Sequence, residues 1–245
     1  MEKRKLTAKD LALIICFSAL YTILCFIPAF PIVGLSGAAI TFASIIAPII
    51  GIVLGPYLAV LSTTFGGTLG LFFASPFSPP SFAAGITSAF MAGMLFKNKK
   101  ALCILTYLLL LSLFGLYPFT GPIWIYPPFM WFQIIGFLTL ISPLQSKAVN
   151  IIQKNSQDNS NYIKLSLAFF TIFLISSLAG QIAGSLTYEA LFIFVLNPNS
   201  WLPTWIGLTW IYPVERMIIT ASATVIGVPL YKVLKSSNLI HYSNS

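Results

Sequence analysis

The chain has 245 residues, of which 58% are hydrophobic and 7% charged, and its mean hydropathy is +0.92. A soluble domain carries about 25% charged residues, so no ordinary polar surface can be built here. That excludes a typical cytosolic enzyme, a disordered protein and a secreted disulfide scaffold.

The formal charge of +8 comes from 13 basic and 5 acidic residues. No Asp, Glu, Lys or Arg occurs in 11–96, 101–146 or 165–188. Roughly 20 apolar residues cross a bilayer as a helix. These blocks therefore predict an all-α, polytopic transmembrane helix bundle of eight spans, with six as the fallback. The first span follows the basic head Met1–Lys5 and ends at Pro28 and Pro31. Gly55-Pro56 divides a second span (38–55) from a third (57–73). The proline-rich run 75–80 closes the third, and a short fourth occupies 82–96. Spans at 101–117 and 124–143 form a hairpin that turns at Pro118 and Gly121-Pro122. The seventh covers 165–187. The eighth is expected to start near Pro213, since proline suits a helix's first turn, and to run to Lys235. The chain thus reads as one integral membrane domain. Four spans lie in 1–96, an additional hairpin in 97–146, a cytoplasmic loop in 147–164, two spans in 165–235 and a polar tail in 236–245.

Basic residues mark the cytoplasmic side. With eight spans, Lys3 to Lys9, Lys97 to Lys100, Lys147 to Lys164, and Lys232 with Lys235 all fall on one side. Both termini are then cytoplasmic in the plasma membrane, and Arg216 is the exception. Six spans also keep the termini inside but require a re-entrant segment. The basic head has the shape of a signal peptide, and Ser36-Gly37-Ala38 offers small residues for cleavage. The topology balances, however, with the first span retained.

Much chemistry is missing. The single histidine, His241, lies in the polar tail, which argues against a metal site. Cys16, Cys25 and Cys103 read as apolar fillers. No G-x-x-x-x-G-K-[ST] stretch exists, so ATP-driven work needs a partner. No cofactor, enzymatic activity or nucleic-acid partner is expected.

Three pairs of glycines four apart, Gly51/Gly55, Gly66/Gly70 and Gly180/Gly184, read as internal helix contacts, and Gly85, Ala89 and Gly93 extend the theme. Ala8, Ala12, Cys16 and Ala19 share one face of the first helix. That stripe can pack internally or dock another membrane subunit, and the pattern alone favours the internal reading.

The outer half carries few polar residues: Gln181, Glu189 at the end of span seven, and Glu215 with Arg216 in the expected first turn of span eight. They hold either a ligand or a structural ion pair. Around them stand Tyr117, Trp124, Tyr126, Trp131 and Gln133, then Asn197, Asn199, Trp201, Trp205, Trp210 and Tyr212. All five tryptophans fall toward the outer face. An aromatic belt marks both interfaces, so the one-sided cluster suggests a ligand pocket. All of these residues except Tyr117 and Asn199 form the candidate substrate-binding set.

Several stretches resemble the substrate-binding S components of energy-coupling factor (ECF) vitamin transporters. Ile40-Thr41-Phe42, Pro48-Ile49-Ile50-Gly51, Leu54-Gly55-Pro56 and Gly66-Gly67-Thr68-Leu69-Gly70 are similar to that family's second and third helices. Pro80-Ser81-Phe82 and Ser88 to Leu95 are similar to the fourth, and Glu215 to Ile219 with Ile226 to Leu230 to the last. The resemblance covers roughly 8–96 and 205–235. It implies capture of a vitamin or similar micronutrient from outside. It also implies docking on a transmembrane T subunit driven by two ATPase subunits. The family's Ala-x-x-x-Ala docking motif maps to Ala8 and Ala12, extended by Cys16 and Ala19. Members usually have six helices, so the hairpin 101–146 is an addition. A standalone secondary transporter or channel, and a membrane-embedded lipid-modifying enzyme, are the alternatives.

Overall fold

A computed structural model describes residues 8–34, 37–154 and 162–237. The basic head, Ser36, the middle of the expected cytoplasmic loop with Asp158, and the tail with His241 lie outside the described residues. The described chain is α-helical apart from one short hairpin.

Helix α1 (Ala8–Cys25) buries Ile14, Phe17, Ser18, Tyr21 and Cys25, a face three and four residues apart. It runs parallel to α3 (Pro56–Phe73). Ser18 Oγ donates to Ser62 O at 3.0 Å, and Thr22 Oγ1 donates to Gly66 O at 3.0 Å. A Cβ on Gly66 would lie 2.5 Å from Ser18 O, so the helices meet backbone to backbone. Between them in sequence, α2 (Ala43–Leu54) is buried on nearly every side, as expected of a helix apolar all round. It seats on α4 (Pro79–Phe96), where a Cβ on Gly51 would lie 2.2 Å from Ala89 O. Two of the expected glycine pairs thus prove to be internal contacts, and the third does too. A Cβ on Gly180 or Gly184 of α9 (Tyr162–Phe192) would lie 2.6 or 2.9 Å from the carbonyls of Ala84 and Pro80.

The second half adds α5 (Lys100–Gly115), the single turn α6 (Pro122–Ile125), a 3₁₀ turn at Pro127–Met130 and α7 (Trp131–Ile141). Helix α8 (Pro143–Lys154) breaks away from this last pair at 61°. Lys100 Nζ donates to the carbonyls of Ile141 and Ser142 at 2.8 and 3.0 Å. A cation thereby meets the negative end of α7. Helix α10 (Trp201–Ser236) closes the bundle. The helix ends at Lys97, Lys100, Lys164 and Lys232 gather at one end. There Lys97 lies by Gly55, Gln153 Nε2 donates to Phe96 O, and the Lys232 ammonium sits over the Tyr162 ring.

Several boundaries differ from expectation. The first helix stops at Cys25; Pro28 and Pro31 instead bound strand β1 (Pro28–Pro31), paired antiparallel with β2 (Ala39–Thr41). Proline is tolerated there because the strand is an edge. The hairpin shortens the second expected span to 43–54. It is tied across by Ala39 N to Pro76 O at 2.8 Å and Ser81 Oγ to Ala39 O at 3.3 Å. The sixth expected span is broken at Tyr126, and the loop at 147–164 begins as helix α8. Span seven extends to Phe192, so Glu189 lies inside it.

The eighth helix does not start at Pro213. It starts at Trp201 and carries Pro213 inside it. An internal proline deprives the carbonyl four residues back of its donor. Here that carbonyl belongs to Thr209, and the Trp131 indole supplies a replacement at 3.3 Å. Glu215 and Arg216 therefore sit near the middle of α10.

Among the described residues, four helices are long and apolar enough to cross a membrane: α1, α3, α9 and α10. A fifth crossing follows if the bent pair around Ser142 counts as one. Helices α2 and α5 are apolar but shorter.

Candidate functional site

At the end opposite the lysines, one cavity opens between the β-hairpin, the start of α4, and the facing halves of α9 and α10. Helical spacing builds two of its walls. Gln181, Gly184, Ser185 and Tyr188 present one face of α9, and Trp205, Leu208, Tyr212 and Arg216 present one face of α10. Ile32, Val33, Ile40 and Thr41 of the hairpin region cover one side, and Phe77, Pro80, Ser81 and Ala84 complete it. The hairpin seats directly on the site. Gly34 has φ +88°, and a Cβ there would lie 2.3 Å from the Tyr188 hydroxyl. Only glycine satisfies both the conformation and the space.

The aromatic wall is held from behind. Trp205 packs on Phe129 (centroids 4.9 Å), Phe114 (5.8 Å) and Trp201 (5.7 Å), and its Nε1 donates to Thr120 O at 2.9 Å. Phe114, Thr120 and Phe129 all belong to the additional hairpin. That segment is thus a buttress of the cavity.

Four of the expected substrate-binding residues line the cavity together: Gln181, Trp205, Tyr212 and Arg216. Trp201 is buried behind them, edge-to-face with Tyr188. Gln133 is buried too. Its amide, oriented by its surroundings, donates to Phe129 O at 2.9 Å and accepts from Gln181 Nε2 at 3.1 Å. Glu215 stands 3.7 Å from the Arg216 guanidinium and is not among the residues that line the cavity. Glu189 is fully buried, its carboxylate near the Thr120 side chain. Trp131 serves the Thr209 carbonyl. Tyr126 packs against the core, and Asn197 caps a 3₁₀ turn by accepting from Asn199 N at 3.0 Å. Trp124 and Trp210 point outward, 65% and 72% exposed.

Thr41, Tyr188 and the hairpin escaped the sequence reading. Tyr188 had a legible signal, because it lies seven residues beyond Gln181 and so on the same face. Ala8, Ala12, Cys16 and Ala19 are all exposed on the outside of α1, so the stripe does not pack internally as its pattern favoured. Among the described residues no cluster of three or more His, Cys, Asp or Glu is placed to hold a metal.

No protein-family model matches the chain, and no curated protein or solved structure matches it either.

Proposed function

We propose that this chain is the membrane-embedded substrate-capture subunit of an ATP-coupled importer of the ECF type. It binds a vitamin or related small micronutrient at its outer face and docks on a transmembrane T subunit with two ATPase subunits. The observation that carries this reading is the cavity. It opens at the end away from the lysines, is walled by Trp205 and Tyr212, and holds Arg216 and Gln181. In the proposed topology α1 to α5, α7, α9 and α10 make eight crossings of the plasma membrane, and both termini are cytoplasmic. The exposed stripe Ala8, Ala12, Cys16 and Ala19 offers the T subunit a smooth helix face for close approach.

Co-purification from the native membrane tests the assembly. The chain is expected to bring down a T subunit and two ATPases. Ala12→Trp is expected to abolish that capture while leaving melting temperature unchanged, because Ala12 contributes nothing to the bundle interior. Full uptake by the chain reconstituted alone would instead establish a standalone transporter. The fully buried Glu189 favours that second reading, since intramembrane carboxylates mark transport pathways.

A further inference from the structure

The cavity is apolar in area, yet four of its buried polar atoms have no hydrogen-bond partner. They are Thr41 Oγ1, Gln181 Oε1, Tyr188 OH and Arg216 Nε. Arg216 and Gln181 are 5% and 4% exposed. Buried polar groups in native proteins are almost always satisfied, so such a group needs an explanation. Packing accidents do not account for Gln181. Its amide nitrogen is engaged by Gln133, which is itself held by two carbonyls of the additional hairpin. That arrangement fixes the Gln181 side chain with its oxygen free. The free oxygen accepts only, and a guanidinium donates only. The site therefore asks for a ligand that donates at one point and carries acceptor oxygens at another.

Charge narrows the class further. A cationic ligand would meet Arg216 in a poorly solvated site. A phosphate monoester bears close to two negative charges and would place the second near Glu215, which already stands 3.7 Å from the guanidinium. A single carboxylate matches one guanidinium in charge and in fork geometry. The walls supply Trp205, Tyr212 and Phe77, flat surfaces for a ring. We infer that the substrate is a ring compound with one carboxylate and a ring N–H, its carboxylate on Arg216 and its N–H on Gln181 Oε1. The inference rests on the capture reading and names the substrate class for that same site.

Calorimetric titration of the full chain in lipid nanodiscs tests it with four matched probes: indole-3-acetate, indole-3-acetamide, tryptamine and 1-methylindole-3-acetate. The expected result is that indole-3-acetate binds about tenfold or more tightly than each of the others, the effect of one charge-assisted or donor-supplied hydrogen bond. Arg216→Gln alone would strand Glu215, so the double variant Glu215→Gln/Arg216→Gln is used. It is expected to bind the acetate and the acetamide equally while keeping the wild-type melting temperature. Gln181→Leu is expected to erase the penalty for N-methylation and keep the preference for carboxylate. Equal or tighter binding of the acetamide or tryptamine, or no binding of any probe, overturns the inference. If that happens while the T subunit and ATPases still co-purify, the importer reading stands and only the substrate class falls. Loss of both removes the importer reading too.

Discussion

The two halves of this bundle are held together by different means. In α1 to α4 the helices touch through glycine and hydroxyl groups. Gly51 meets the Ala89 carbonyl, Gly66 meets Ser18, and Gly93 meets Pro56. From α5 onward the outer-end contacts are made by large side chains, with Trp205 set among Phe114, Phe129 and Trp201, while α9 joins α4 through Gly180 and Gly184. Lipid is as apolar as leucine, so burial alone drives neither half together; close packing and hydrogen bonds must. The glycine half achieves them by removing side chains, and the aromatic half by interlocking them. The cavity lies where the two meet, with α4 and the hairpin on one side and α10 on the other.

The sharpest way to break the comparison is to add one side chain to each half. Gly51→Leu places atoms where a Cβ alone would be 2.2 Å from a backbone carbonyl and 2.9 Å from Ala92 Cβ. Neither neighbour can rotate away, and overpacking of this kind costs about 3 kcal/mol or more. The expected outcome is no monodisperse protein on size exclusion. Gly207→Ala in α10 is the matched control. Nothing lies within 4 Å of its new Cβ, and replacing a helical glycine stabilises by about 0.5–1 kcal/mol. Its melting temperature should stay level or rise. Equal damage from both substitutions would mean that backbone contact does not distinguish the halves.

Next in size is Trp205→Ala. Truncating a buried aromatic costs about 3–5 kcal/mol, and here it also leaves the Thr120 carbonyl without its donor. Limited proteolysis is expected to cut first in the 116–126 connection, with α1 to α4 still protected. Trp205→Phe keeps most of the packing and should recover most of the melting temperature. If Trp205→Ala exposes α1 to α4 as readily, the halves fold as one unit.

The same contrast decides what could be read from the sequence. Glycine pairs announce helix contacts by spacing, and all three pairs proved to be internal. The charge-free blocks and their breakers located α3, α4 and α5 closely, because breakers such as Gly55-Pro56 act locally whatever the tertiary context. The β-hairpin at 28–41 was hidden, since two prolines in an apolar run look like a helix end and leave too few residues for alternation. Only a small part of the cavity was visible through rare polar residues: Arg216 and Gln181 stand out against apolar neighbours. Trp124 and Trp210 drew the same attention as Trp205, yet they face outward. Residue type cannot report which side of a helix a ring occupies when the helix is apolar all round.

The start of α10 failed for a reason that yields the smallest expected effect. Pro213 carries a local signal for a helix start, and that signal was overridden by one long-range donor. The Trp131 indole reaches the Thr209 carbonyl that Pro213 leaves free. In a bilayer an unsatisfied carbonyl must find a partner inside the protein, so this bond lets α10 continue through the proline and carries Arg216 to the cavity. Trp131→Phe retains a ring against Phe132 and Trp210 and removes only the donor. Hydrogen bonds of this kind within membranes average about 0.6 kcal/mol, so the melting temperature should fall by only a few degrees. If the bond sets the course of α10, ligand affinity at Arg216 should fall by more than stability does, because a kink at Pro213 displaces the residues beyond it. Trp210→Phe, which touches no such carbonyl, should change neither. Unchanged affinity in Trp131→Phe would show that helix packing alone carries α10 past the proline.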